Sequence, residues 1–182
     1  MSTAFSKSLP GFHAPAASFE QPLEMLEACQ RVRRTLALLG KLVEHIDKQG
    51  HGEQSRSAAA DVLRYFNLAA PLHHQDEEIN VFPVLPGRDD AAMTLTVEAL
   101  KRDHVQMGLW WAQLQQPLQR WSQAGANEPV EDATRSAVAR FRALYATHLQ
   151  AEEGLVFPAA RALMDRSAQS AIGQQMQARR RT

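Results

Sequence analysis

Residues 73–83, HHQDEEINVFP, recur 75 positions later as residues 148–158, HLQAEEGLVFP. His73 aligns with His148, Glu77-Glu78 with Glu152-Glu153, and Phe82-Pro83 with Phe157-Pro158. A repeat carried on segments whose apolar residues recur three and four apart restricts the chain to related helical hairpins. Pro10, Gly11, Pro15 and Ser18 mark an irregular leader over residues 1–20, and a helix then runs from Gln21 to about Gln49 with Pro22 in its first turn. Its apolar stripe reads Leu23, Leu26, Val32, Leu36, Leu39, Val43 and Ile46. After Gly50-His51-Gly52 a second helix reaches about Leu85, bent at Pro71; a third spans about Asp89 to Ser122, kinked or ended early at Pro117. The fourth covers about Val130 to Arg166 with a break near Pro158, and a short helix begins at Ser167. Little of the chain alternates with period two, which argues against sheet. The expectation is an all-α fold: an up-down-up-down four-helix bundle over 21–166, with the leader before it and a C-terminal helix and tail over 167–182.

Composition narrows the partners. The chain has 182 residues, 45% hydrophobic, enough for one globular core. Twenty basic and twenty acidic residues balance, so no global charge favours nucleic acid or an anionic membrane. Arg179-Arg180-Arg181 reads as a frayed tail. One cysteine, Cys29, rules out an internal disulfide and suits a reducing compartment. No stretch has the apolar length of a signal peptide or a membrane span, so a soluble cytoplasmic protein is expected.

The repeat also carries chemistry. Residues four apart lie one turn along the same helix face, so His73 with Glu77 and His148 with Glu152 each offer a nitrogen and an oxygen together. An offset of 74 sets Glu24-Met25-Leu26 beside Glu98-Ala99-Leu100 and Gln30 opposite His104. In an antiparallel bundle all four positions fall near one level, where a core site receives His73, Glu77, His104, His148 and Glu152. A lone HxxxE is usually a solvated pair; two copies in register with a third histidine point to metal. Imidazole and carboxylate without thiolate suit iron and, less specifically, manganese or zinc, and two carboxylates on facing helices can bridge a cation pair. The Glu-x-x-His of ferritin-like di-iron proteins is absent. His13, His45 and His51 read as solvent-facing. Phe82-Pro83 and Phe157-Pro158 read as core plugs and helix stops, and Tyr65, Phe66, Trp111 and Tyr145 as core that also walls water from the site. Cys29, about 100° around the helix from Gln30, reads as a buried apolar residue.

HxxxEExxxFP occurring twice resembles the hemerythrin-like, or HHE cation-binding, family of bacterial cytoplasmic type. The resemblance covers about Pro22 to Ala160, and the leader PGFHAPAASFEQPLEMLEAC is similar to that of such members. It implies a helical bundle holding a non-haem iron centre, with His73, His104 and His148 as histidine ligands and Glu77 and Glu152 as bridging carboxylates. Two departures stand out. Oxygen-carrying members have His-x-x-x-His on the third helix, where Gly108 stands four residues after His104. The first-helix histidine falls at Gln30, a weaker neutral donor. His74 is either a substitute ligand or a residue that backs the ligands or faces solvent. The function implied is a di-iron protein that binds or senses dioxygen, or another small diatomic or peroxide ligand, in a dry pocket beside Met107 and Gly108. The alternatives are an iron-dependent enzyme of peroxide or nitric-oxide chemistry, iron-donating repair, and a regulatory or structural bundle with a decayed site; a binding protein is favoured over an enzyme. The oligomeric state is left open.

Overall fold

The computed structural model describes residues 22–85 and 90–181; the expected leader lies outside them. The described residues are helical, with no strand among them. Helix α1, Pro22–Gln49, ends at Gly50, whose φ of +76° is the left-handed backbone that glycine adopts without penalty. Helix α2, Glu53–Arg64, passes through a π turn, Tyr65–Ala69, into α3, Ala70–Asp76. A second π turn, Glu77–Val81, and a short 3₁₀ turn, Phe82–Val84, end that rod. Helix α4, Ala91–Trp121, is capped by Asp90, which accepts from the Met93 N–H at 2.9 Å. Helix α5, Asp132–Ala151, leads through a π turn, Glu152–Val156, into α6, Phe157–Leu163. Helix α7, Arg166–Arg179, is capped by Asp165. α1 packs on α2 and α5, and α4 packs on the same two, which closes the ring around one core. Val32, Leu39, Val62, Leu118, Trp121, Phe141 and Leu149 fill it.

The prolines behave differently from the sequence expectation. Pro117 neither ends nor breaks α4: the turn it deprives of an N–H belongs to Gln113, which lies on the exposed side where water can serve the carbonyl. The breaks come before the other prolines, as π turns. Ala70 N–H bonds back to Tyr65 just ahead of Pro71, Phe82 N–H to Glu77 ahead of Pro83, and Phe157 N–H to Glu152 ahead of Pro158. A wider turn absorbs the ring that an α-helix would reject. Pro158 therefore sits in the first turn of a continuing helix rather than at a stop.

Two outward assignments are also corrected. Arg179 and Arg180 are no frayed tail: Arg179 Nη2 donates to Oδ1 of the buried Asp76 at 2.8 Å, and Arg180 donates to its other oxygen. Asn80 Nδ2 donates to Gln175 Oε1 at 2.8 Å, so α7 is tied along the first motif. His51 is half-buried, and its Nε2 donates to the Glu128 carbonyl at 2.7 Å.

Candidate metal centre

The two π turns open the repeated motif at the same residue. Glu77 begins one and Glu152 the other, so each glutamate follows a regular helical turn from its histidine, and the register changes only after it. His73 Nε2 lies 3.0 Å from Glu77 Oε1, and His148 Nε2 lies 2.8 Å from Glu152 Oε1. From α4, His104 brings Nε2 to 3.3 Å from Glu77 Oε2 and 3.2 Å from His148 Nε2. All five side chains are buried. The structure therefore brings together His73, Glu77, His104, His148 and Glu152.

Gln30 does not join them. It is exposed, and Cys29 takes the inward position on α1, fully buried with Sγ 3.9 Å from Glu152 Oε2. The physical reason is helix phase: Met25, Cys29, Val32, Leu36, Leu39, Val43 and Ile46 form the buried stripe of α1, and Gln30 falls outside it. That periodicity was readable, but matching histidines between hairpins chose the neighbouring residue.

Donor atoms fall into two overlapping groups, Glu77 with His104, His148 and Glu152, and Cys29 with His73 and Glu152; within each, the atoms lie within 4.8 Å of one another. The carboxylates straddle them. Glu77 turns Oε1 to His73 and Oε2 to His104, while Glu152 turns Oε1 to His148 and Oε2 to Cys29. Both oxygens of Glu77 and both ring nitrogens of His73 are buried without a hydrogen-bond partner. Buried polar atoms are rarely left so, and lone pairs converging at such distances match the requirements of cations better than those of each other.

Two acids outside the expected set orient the histidines. His104 Nδ1 donates to Glu78 Oε1 at 2.7 Å, and His148 Nδ1 donates to Asp103 Oδ2 at 3.3 Å. Each bond holds a proton on Nδ1 and turns Nε2 toward the cluster. The acidity of Glu78 was visible in the motif, but its partner on α4 was not.

Electrostatics follow from burial. Desolvation, reinforced by the charge of Glu152, raises the Glu77 carboxyl well above its usual range. Burial would also raise Glu152, but hydrogen bonding and charge from His148 outweigh it and hold this carboxyl low. Burial likewise disfavours the His148 imidazolium, yet Glu152 and Asp103 together raise its pKa. At His73 desolvation outweighs the charges of Glu152 and Asp76, and its pKa is depressed to about 4. Without a cation, the pair thus holds one ionised and one protonated carboxyl.

His74 belongs to neither donor group. Its ring stacks on His104, centroids 4.1 Å apart, and its Nε2 accepts from the Tyr145 hydroxyl at 3.3 Å. Burial, then the neighbouring His104, lowers its pKa, so the ring is neutral. A cavity of about 490 Å³ opens beside it, lined by His104, Met107, Gly108, Phe66, Trp111 and Tyr145 among others. Met107 is a buried wall, whereas Gly108 is exposed at the rim.

A helical bundle whose core gathers histidines and glutamates from two motif copies defines a class of metal-binding helical proteins. The family model for the hemerythrin HHE cation-binding domain matches residues 24–160, and the chain belongs to that family. It is also similar to an uncharacterized protein of Haemophilus influenzae (strain ATCC 51907 / DSM 11121 / KW20 / Rd), at 31% identity over 165 residues, 90% of this chain and 92% of the relative. No described helix is long and apolar enough to cross a membrane.

Proposed function

We propose that this chain is an up-down-up-down four-helix bundle of the cytoplasm that holds two non-haem irons and binds or senses dioxygen or a related small oxidant. One observation carries the reading: two buried carboxylates each turn one oxygen to either of two donor groups, the disposition that bridges a pair of cations. The donors around His104 and His148 are nitrogen and oxygen, which suits iron, with manganese or zinc as competitors. Bound iron would supply a reducible centre with affinity for small ligands. The protein's part is to fix the imidazole tautomers through Glu78 and Asp103, and to admit a small molecule along the cavity that reaches His104. Phe66, Trp111, Phe141 and Tyr145 pack ring against ring along its wall and limit water there.

The test is metal content and optical absorption of protein purified without chelator. About two irons per chain and a spectrum that changes when air is admitted support the reading. A metal content well under one per chain rejects it. Gly108→Leu, at a position where an added Cβ meets nothing within 4 Å, should keep the iron and slow the response to air; an unchanged rate would show that the ligand enters elsewhere.

A second reading is favoured by the Tyr145–His74 pair, a phenol and a neutral imidazole in contact on the cavity wall. Such a pair can relay a proton, which turnover of peroxide or nitric oxide requires and reversible binding does not. Catalytic consumption of peroxide that falls in Tyr145→Phe, with iron content unchanged, would favour the enzyme.

A further inference from the structure

We propose that Cys29 is the metal ligand contributed by the first helix, making the second position of the centre a thiolate–imidazole–carboxylate site. This rests on the reading of the cluster as a metal centre and assigns its missing donor.

Cys29 Sγ lies 3.9 Å from Glu152 Oε2, and the residue is fully buried. It sits within the apolar core, yet its sulfur also reaches one of the two buried carboxylates, a contact that a purely apolar role does not need. His73 supplies the second and independent observation. The residue is 4% exposed, neither ring nitrogen has a hydrogen-bond partner, and it shares a donor group with Cys29 and Glu152. Neither neighbouring polar side chain described on α1 competes for the position: Gln30 is exposed, and Thr35 is engaged with the Arg31 carbonyl at 2.9 Å.

The approach of α1 is held in place. Arg33, one turn beyond Cys29, grips Glu153 with both guanidinium nitrogens, Nη2 to Oε2 at 2.9 Å. Glu153 adjoins Glu152, so this clamp sets the height at which the thiol meets the second motif. In the metal-free chain, burial and then the charge of Glu152 keep the thiol protonated. A divalent cation reverses both influences, because a coordinating thiol gives up its proton.

The two positions then differ in chemistry and access. One has two imidazoles and two carboxylates and borders the cavity through His104. The other has a thiolate and one imidazole, and neither Cys29 nor His73 lines the cavity. The softer donor shifts this closed position toward zinc and thiolate-bound iron, and leaves small-ligand chemistry to the nitrogen-rich one.

The experiment loads the whole chain with Co(II) for optical spectra and with Zn(II) for X-ray absorption, alongside Cys29→Ser and Cys29→His. Wild type should show a thiolate-to-cobalt charge-transfer band and a sulfur neighbour about 2.3 Å from zinc. Cys29→Ser should lose both signals, keep one metal, and bind the second more than about 100-fold weaker, beyond the loss typical of an orienting partner. Cys29→His should restore two metals with nitrogen and oxygen neighbours only. Two bound metals without any sulfur signal in wild type would overturn the assignment of Cys29 while leaving the di-metal reading intact. No bound metal would overturn both. If Cys29→Ser fails to fold, the sulfur signals in wild type still decide.

Discussion

The two copies of the motif share the spacing of their histidines and glutamates and the π turn that follows, yet carry opposite charge habits. In the second copy, Asp103 supports His148, Glu152 pairs with it at 2.8 Å, the histidine is pushed toward its cation and the glutamate toward its anion. In the first, nothing supports His73 Nδ1, the histidine is driven neutral, and Glu77 is driven toward its acid form. A repeat places side chains; their neighbours on other helices decide their protonation. The first copy is thus the more dependent on a cation, since both ring nitrogens of His73 and both carboxylate oxygens of Glu77 are buried without a hydrogen bond.

The sharpest way to break this contrast is to remove what the two donor groups share. Glu152→Ala should abolish binding at both positions, measured as metal per chain, whereas His73→Ala should spare the nitrogen-rich position; retention of both metals in Glu152→Ala would refute the bridging arrangement. Next in size is stability of the metal-free protein under denaturant. His148→Ala strands Glu152 in the core and should cost about 3–5 kcal/mol, while His73→Leu, which removes only an unpartnered ring, should cost far less or stabilise.

Acid should separate the copies further. The folded value for His73, about 4, lies below its ordinary 6.5. Between those values the unfolded chain binds a proton that the folded chain refuses, so His73 destabilises the metal-free fold progressively as pH falls from about 6.5 to about 4, and the penalty then levels off. The stability gained by His73→Leu over wild type should therefore grow by about 3 kcal/mol between pH 7 and pH 4; a pH-independent difference would show that His73 finds a partner. The smallest effects concern the supporting acids. Asp103→Asn or Glu78→Gln should weaken metal binding at the nitrogen-rich position by about 10–100-fold, and Gln30→His, on an exposed face, should change metal content not at all.

Much of this was legible in one dimension. Helix segments followed from glycine, proline and apolar spacing; His73, Glu77, His148 and Glu152 followed from a spacing of four that any regular helix honours, and His104 from its level in the third helix. What escaped were features set by other helices or by departures from regularity. Gln30 was matched to His104 through a weak repeat, while the phase of α1, anchored by Val32 and Leu36, selected Cys29. Asp103 and Glu78 become partners of histidines on other helices, a relation with no local trace. The prolines announced irregularity, but not that it would take the form of wider turns before them.

Those turns have a consequence for the lineage of the chain. A π turn is an α-helix that has accepted one residue too many, and here both copies keep the surplus between Glu and Phe. Five residues apart in a plain α-helix would put Glu77 and Phe82 on different faces, yet both are buried, and the Phe82 ring lies 6.0 Å from that of His104. Ile79, 49% exposed in the middle of the surplus, is a residue the wider turn sets aside: replacing it is a local event, and deleting it would close the turn to α geometry with Phe82 four positions after Glu77, still within about 40° of its face.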